Sequence, residues 1–191
     1  KVVIEGVNLS ERLAEVYSAG AAYEEALPYY ERALKDEAQP DVLFGAAFAA
    51  FQAKQYELSV NRLDQLLEAD PDYFSAYLLK AQCFNMMEDY KRAYDAIKEG
   101  LARDEFDKEL YLFAGKLALK LNKGEEGIEM LRQAIALDPE YMEALYTLIS
   151  YFDAEERDDE LLELASMAVE SGNDWHALYP MIARAYDRTE Q

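Results

Sequence analysis

Apolar residues recur along nearly the whole chain at intervals of three and four residues, which places them on one face of successive α-helices. Leu13, Ala14 and Tyr17 mark the first of these helices. After a turn around Gly20, a second helix follows and contains Tyr30. The same alternation of helix, short turn and helix continues to the end of the sequence. The pattern therefore predicts a protein built from helices in antiparallel pairs.

The helix pairs repeat at a fixed period. The segment 70–77 (DPDYFSAY) is matched 68 residues later by 138–145 (DPEYMEAL), and 68 is twice the 34-residue period of a helix–turn–helix repeat. The spacing is one residue short between the first two copies, near Pro40. Residues 1–6 are left as an N-terminal extension. The predicted repeats are 7–39, 40–73, 74–107, 108–141, 142–175 and a partial copy at 176–191.

Small residues fall at equivalent positions of the repeats. Two antiparallel helices approach closely only where side chains are small, and larger side chains of the facing helix fill the space left over. The small positions predicted to face the partner helix are Ala14, Ala47, Ala81, Gly115 and Ala183 in first helices and Ala26, Ser59, Ala93 and Gly127 in second helices.

This pattern resembles the tetratricopeptide repeat, whose motif is W-x2-L-G-x2-Y…A-x3-F…P. The tryptophan of the motif is absent, because Ser10, Leu43, Tyr77, Tyr111 and Leu145 occupy its position. The resemblance implies an all-α fold, a right-handed α-solenoid of about five and a half tandem repeats over residues 7–191. The segment 23–27 (YEEAL) is also similar to cytosolic repeat proteins of Gram-positive bacteria, which predicts a cytoplasmic location.

The family pattern implies a second helix after Tyr186, with Ala185 as the small residue that receives it. We therefore expect the chain to be part of a longer array.

Charge narrows the classes of partner. The chain has 39 acidic and 19 basic residues, for a net charge of −20. Nucleic acids and anionic membranes both require basic surfaces, so neither is predicted as a partner. The acidic surplus indicates either a surface that keeps the protein soluble or a surface that meets a basic partner.

The sequence offers no convincing catalytic, metal or cofactor site, and we predict that the protein is not an enzyme. His176 is the only histidine, and Cys83, the only cysteine, is predicted to be a buried structural thiol. The segment 124–127 (GEEG) lacks the lysine and hydroxyl of a phosphate loop and is predicted to be a turn between helices. The acidic run 153–160 lacks the central glycine of a calcium loop and is predicted to be a solvated turn.

In proteins of the tetratricopeptide family, the first helices line a concave groove in which partners lie. Two features favour a peptide-binding groove here: a phenylalanine stripe in the second repeat, and two basic pairs spaced i, i+4. They predict a protein or peptide partner with an apolar and an acidic segment. The alternative is that the aromatics pack between repeats and the cations balance local acids. The predicted groove residues are Phe44, Phe48, Phe51, Leu78, Gln82, Asn85, Leu112, Lys116, Lys120, Tyr146, Arg184 and Arg188.

The leading hypothesis from the sequence is a scaffold or adaptor that binds a protein or peptide. A second hypothesis is a peptide-sensing module within a larger regulatory protein. The third is a structural protein that self-associates through its last helix, using Tyr179, Met181 and Ile182.

Overall fold

A computed structural model describes residues 3–4, 7–36, 38–170 and 176–189, and within them nearly all regular structure is helical. The predicted repeat boundaries at residues 40, 74, 108 and 142 coincide with the starts of helices. The all-α fold of paired helices is confirmed. The helices are α1 (Leu9–Ala19), α2 (Tyr23–Asp36), α3 (Pro40–Gln52), α4 (Tyr56–Ala69), α5 (Phe74–Met86), α6 (Tyr90–Leu101), α7 (Lys108–Lys120), α8 (Gly124–Leu137), α9 (Met142–Ala154), α10 (Asp158–Glu170) and α11 (Tyr179–Thr189).

A short β-ladder precedes the helices, which the helical pattern did not predict. Strand β1 (Val3–Ile4) pairs antiparallel with β2 (Val7–Asn8), with Ile4 opposite Val7. The Asn8 side chain then accepts a hydrogen bond from the backbone N–H of Ser10, which caps the N-terminus of α1.

The first helix of each of the five complete pairs ends in the same backbone turn. The second residue after each of these helices adopts the left-handed conformation, with φ between 55° and 59°. The next residue donates its N–H to the carbonyl five positions back, at 2.8 to 2.9 Å, as in a Schellman motif. The residues with positive φ are Ala21, Lys54, Glu88, Asn122 and Glu156. Their spacing, 33 residues once and then 34, reproduces the sequence period, including the short first interval.

The segment 124–127 does not form the turn that the sequence predicted. Gly124 begins α8, and the left-handed turn lies before it, at Asn122. The turn prediction was wrong because Gly124 is already the first residue of α8, and Gly127 is buried inside that helix, where its spacing had separately predicted a small second-helix position.

The chain divides into two compact units, residues 1–104 and 105–191. In the first unit, an alanine-rich cluster around Ala14, Ala26 and Ala46 packs α1, α2 and α3 together. A second cluster, with Leu63 and Leu66 fully buried, joins α3, α4 and α5. Within this unit, the first helix pair is thus packed against the second, and the second against the third.

In the second unit, a large cluster runs from α7 to α11. Phe152, Leu148 and Ile149 on α9 are fully buried at its centre. Leu178 and Ala185 contribute to the same cluster from the turn before α11 and from α11 itself. The last helix is therefore docked on the unit by an apolar contact.

The closest helix crossing in the second unit is between α7 and α8, where Gly115 faces Gly127. A Cβ added to Gly115 would lie 2.6 Å from Leu131 Cγ and 3.1 Å from the Gly127 carbonyl oxygen. A Cβ on Gly127 would lie 2.6 Å from Leu119 Cδ2. The pair of glycines therefore lets the two backbones approach, and the leucines fill the space on either side.

We predict that Gly115→Ala destabilises the protein by about 1–3 kcal/mol, because overpacking outweighs the gain in helix propensity of about 1 kcal/mol. Gly20→Ala is the matched control. Gly20 has a negative φ, and its added Cβ would find no atom closer than 3.5 Å. Urea unfolding of both variants tests this, and equal stability would contradict the close crossing.

Candidate functional site

The phenylalanine stripe on α3 is only partly available to a ligand. The Phe44 ring lies 5.1 Å from that of Tyr73, and the Phe51 ring lies 5.8 Å from that of Tyr56, measured between centroids. Both phenylalanines are half-buried against the core cluster that joins α3, α4 and α5. Their side chains thus help to pack one repeat on the next.

Phe48 differs from its two neighbours on the stripe. It retains 37% of its accessible surface, and its ring stands edge-on to Tyr23 at 6.0 Å. An edge-to-face contact orients an aromatic ring without covering its outer surface. Phe48 is therefore the member of the stripe that could receive an apolar side chain of a partner.

The other predicted groove residues of the first unit lie on α5. Leu78, Gln82 and Asn85 are all half-buried, and their spacing of four and three residues keeps them on one side of the helix. Their half-buried state fits either a groove or a contact between repeats.

In the second unit, Leu112 was predicted on the groove but is buried, with 6% of its surface exposed, in the cluster that joins α7 to α11. The prediction was wrong because the apolar packing around α7 extends further around the helix than the repeat pattern indicated. Tyr146 on α9 is 45% exposed, which agrees with its predicted placement. Lys120 lies exposed at the end of α7.

Lys116 contacts an acid of the next first helix. Its ammonium group donates to the Glu143 carboxylate on α9. The Lys116 side chain is 34% exposed and the Glu143 side chain 60%. Exposed ion pairs contribute little to stability, so this contact can be exchanged for another partner.

Arg184 and Arg188 are engaged more tightly, in a cluster that we call the α11 lock: Asp153, Asp158, Arg184 and Arg188. Both arginines donate to the Asp153 carboxylate. Arg188 also donates to Asp158 through Nε at 3.0 Å and through Nη2 at 2.6 Å. The two aspartates are only 15% and 13% exposed.

The α11 lock corrects the prediction that the acidic run 153–160 is a solvated turn. Asp153 lies in the last turn of α9 and Asp158 begins α10, so the arginines of α11 can cover both carboxylates. Hydrogen bonds from Arg184 and then Arg188 lower the pKa of Asp153. The hydrogen bond to Asp153 raises the pKa of Arg184, and hydrogen bonds to Asp158 and then Asp153 raise the pKa of Arg188. A helical pattern predicts on which face of its helix a residue lies, but it does not predict which residue of a neighbouring repeat will pair with it.

Ion pairs between residues 30 to 32 positions apart recur within both units. Each connects a basic residue to an acid almost one repeat length away along the chain. The pairs are Arg62–Glu31, Arg103–Asp72, Lys108–Asp138, Arg157–Glu125, Arg184–Asp153 and Arg188–Asp158. Five of these six pairs link successive repeats, whereas Lys108–Asp138 lies within the predicted repeat 108–141.

Cys83 is fully buried, as predicted. Its thiol donates to Ser59 Oγ at 3.2 Å, and Ser59 in turn donates to the Ala47 carbonyl at 2.8 Å. Burial raises the pKa of the Cys83 thiol to about 11. The thiol therefore stays protonated near neutral pH and belongs to the packing between α3, α4 and α5.

The described residues contain no group of three or more His, Cys, Asp or Glu side chains placed to hold a metal ion. His176 is exposed in the turn before α11, with its ring 5.1 Å from Tyr179. Among the helices that the structure describes, none combines the length and apolarity needed to cross a membrane.

Comparison with known families identifies the repeats. A family model described as "Anaphase-promoting complex, cyclosome, subunit 3" matches residues 19–134, and one described as "Tetratricopeptide repeat" matches residues 114–174. The chain belongs to the tetratricopeptide repeat family. The predicted fold class is confirmed together with the family.

The tetratricopeptide chain has a relative in a Gram-positive bacterium, which confirms the predicted resemblance. It is 38% identical over 188 residues to the "TPR repeat-containing protein YpiA" of Bacillus subtilis (strain 168). The match covers 98% of this chain but 44% of the relative, so the chain spans less than half the length of that protein.

Solved tetratricopeptide structures share the fold at low identity. MamA has a TM-score of 0.75 with 15% identity, over 86% of this chain and 94% of MamA. YrrB, described as "a TPR protein with an unusual peptide-binding site", has a TM-score of 0.70 with 17% identity, over 93% of this chain and 90% of YrrB. These likenesses establish the arrangement of helices and nothing about ligands.

We predict that acid weakens the α11 lock. Because the folded pKa of Asp153 lies below its unfolded value, of about 3.9, the contribution of Asp153 to stability is present above that value. It is lost as the pH falls through the depressed pKa. Hydrogen exchange of residues 179–189, after correction for the intrinsic rate, should therefore stay constant down to about pH 4 and accelerate as the pH falls below that value.

Asp153→Asn removes the titrating group, so α11 should exchange faster at neutral pH and lose most of the additional acid response. Glu15→Gln is the control, because the exposed Arg12–Glu15 pair should contribute almost nothing. If the acid response of α11 survives unchanged in Asp153→Asn, another group is responsible for it.

We predict that the Cys83 thiol is inert in the folded protein. Its burial and raised pKa both suppress the thiolate that reacts with alkylating agents. Iodoacetamide at about pH 8 should label the native chain at least about 100-fold more slowly than the urea-unfolded chain. Comparable labelling rates would show that the third repeat opens readily.

Proposed function

We propose that the chain is a non-enzymatic scaffold that binds a protein or peptide through the face formed by its first helices, with Phe48 as an apolar anchor. Tetratricopeptide repeats and their structural neighbours are typically binding scaffolds rather than catalysts. The peptide-binding site named for YrrB supports the same class of function. The predicted cytoplasmic location is part of this proposal.

The observation that carries the proposal is the contrast within the α3 stripe. Phe44 and Phe51 are packed against Tyr73 and Tyr56, whereas Phe48 keeps its outer surface exposed. A large aromatic ring held by one edge contact, between two rings that fix the surrounding surface, is suited to anchor an apolar side chain. The half-buried Gln82 and Asn85 on α5 supply amide groups on the first-helix face of the same unit.

Fewer basic residues are proposed to bind an acidic segment of the partner than the sequence predicted. Lys116 can exchange its exposed contact with Glu143 for a carboxylate of the partner. Arg184 and Arg188 cannot do so without leaving two largely buried aspartates unpaired, which is costly. We therefore remove both arginines from the ligand set and retain Lys116 and Lys120.

The test is a random dodecapeptide library displayed on phage and selected against the chain, followed by fluorescence anisotropy with a selected peptide. A single short peptide should bind with micromolar affinity, about −8 kcal/mol. Phe48→Ala should weaken binding by about 5- to 30-fold, equivalent to about 1–2 kcal/mol.

Val16→Ala is the matched control, because Val16 is an apolar residue of the same unit that is 68% exposed and is not among the predicted groove residues. It should leave the affinity unchanged. Melting temperatures must match that of the parent chain for both variants. Equal affinity of the parent and Phe48→Ala, at equal stability, would remove Phe48 from the binding site.

A further inference from the structure

Aromatic rings in this acidic chain repeatedly hold cations of the chain itself. A cation within about 6 Å of a ring centroid is attracted by the negative face of the ring. Such contacts include Arg92 over Phe84 at 4.7 Å, Lys108 over Tyr141 at 4.9 Å, Arg157 over Phe152 at 5.1 Å and Lys98 over Tyr94 at 5.8 Å. None of these four cations lies over Phe48, the exposed ring of the α3 stripe.

Phe48 and Tyr23 form what we call the aromatic corner. Their planes meet at 80° with the ring centroids 6.0 Å apart, so each ring turns part of one face into the angle between them. Phe48 is 37% exposed and Tyr23 is half-buried, so solvent reaches both rings. Two ring faces at nearly right angles form two sides of the kind of aromatic cage that binds ammonium groups.

The helices around the aromatic corner carry mostly acidic side chains. Glu24 and Glu25 directly follow Tyr23 in the first turn of α2, and both are exposed. On α1, Glu15 lies 33 positions before Phe48 and is its equivalent in the preceding repeat. Helix α3 itself has no basic residue. The corner therefore combines ring faces with a negative local potential, and both attract a cation.

The basic residue of α1, Arg12, does not neutralise this region. It pairs with Glu15 at 2.8 Å, and the two side chains are 67% and 47% exposed. Exposed pairs of this kind contribute little to stability. A cation brought by a partner can therefore share the Glu15 carboxylate at little cost.

An arginine or lysine side chain matches both properties of the aromatic corner. Its aliphatic stem packs along an apolar surface while its charged end remains near water. The planar guanidinium of arginine also stacks on aromatic faces, which favours arginine over lysine. A carboxylate would instead meet the negative ring faces and the acidic neighbours together, which lowers affinity.

A second copy of this chain is a poor source of that side chain. Of the predicted self-association residues, Met181 and Ile182 pack against the core cluster of the second unit, and only Tyr179 is exposed. Ala185, which was predicted to receive a following helix, is fully buried in the same cluster instead. The net charge of −20 also opposes the approach of two copies. The basic side chain is therefore sought in a different protein.

We propose that the aromatic corner binds an arginine or lysine side chain from the apolar segment of the partner, so that the segment contacting the first unit is basic as well as apolar. The inference rests on the proposed function and names the chemistry of its ligand at Phe48. It does not conflict with the acidic segment proposed for Lys116 and Lys120, because those lysines belong to the second unit.

The test compares charged and neutral forms of one peptide. Peptides selected from the dodecapeptide phage library should share an arginine or a lysine. The neutral form replaces that residue with an uncharged side chain of similar shape, citrulline for arginine or norleucine for lysine. In fluorescence anisotropy at an ionic strength of about 0.15 M, where distant charges are screened, the neutral form should bind the parent chain about 3- to 30-fold more weakly.

Phe48→Leu separates the ring from its apolar surface. Leucine keeps an apolar anchor but has no aromatic face, so the preference for the charged peptide should fall below about twofold. Phe74→Leu is the matched control, because Phe74 is a phenylalanine of the same unit that is 36% exposed and is not among the predicted groove residues. It should retain the full preference. The melting temperature of each variant is compared with that of the parent chain.

Two results would overturn the inference and leave Phe48 as an apolar anchor: selected peptides without a shared cation, and equal affinity of the parent chain for the charged and neutral peptides. Neither result depends on the folding of a variant. A charge preference that survives in Phe48→Leu would also overturn the inference, because the basic side chain would then bind elsewhere. A library that yields no binding peptide would contradict the proposed function itself, and this inference with it.

Discussion

The close approach of the two helices in each pair is the constraint on which the rest of the structure depends. A residue without a large side chain must lie where the helices cross, and the facing helix must offer a side chain that fills the remaining space. At the crossing of α7 and α8, Gly115 and Gly127 provide the first requirement and Leu131 and Leu119 the second. The left-handed residue after each first helix then directs the chain back along its partner. Because these two devices recur at one period, each pair presents the same faces to its neighbours.

Charge has a different role from packing in this chain. With about half as many basic as acidic residues, the chain uses several of its cations to join consecutive repeats, through pairs 30 to 32 positions apart such as Arg62–Glu31 and Arg157–Glu125. Most of these pairs are exposed and add little to stability one by one. The α11 lock is the exception, because its two aspartates are largely covered. Because several arginines are paired within the chain, the net charge of −20 leaves a negative surface, which opposes the approach of other copies.

The sequence predicts the fold well because the same local pattern recurs in successive repeats. Helix starts at Pro40, Phe74, Lys108 and Met142 follow directly from the period. The candidate site is predicted less well, because exposure depends on contacts between repeats that no single helix encodes. Phe44 and Phe48 have the same residue type and lie on one stripe, yet Tyr73 covers one and Tyr23 meets only the edge of the other. The sequence predicts Arg188 as a cation of the groove, because the ion pair with Asp158, 30 residues away, is visible only in the structure.

The same reasoning explains why motif departures did not disturb the fold. Lys80 stands where the third repeat should have an apolar residue, and it is only 18% exposed. Its ammonium group reaches Asp64 on the preceding second helix at 2.8 Å, while the aliphatic stem remains along the helix surface. A long side chain can thus occupy an apolar position if its charge has a partner nearby. Repeat proteins tolerate such exchanges because each repeat contacts only its neighbours, so a local change is compensated locally.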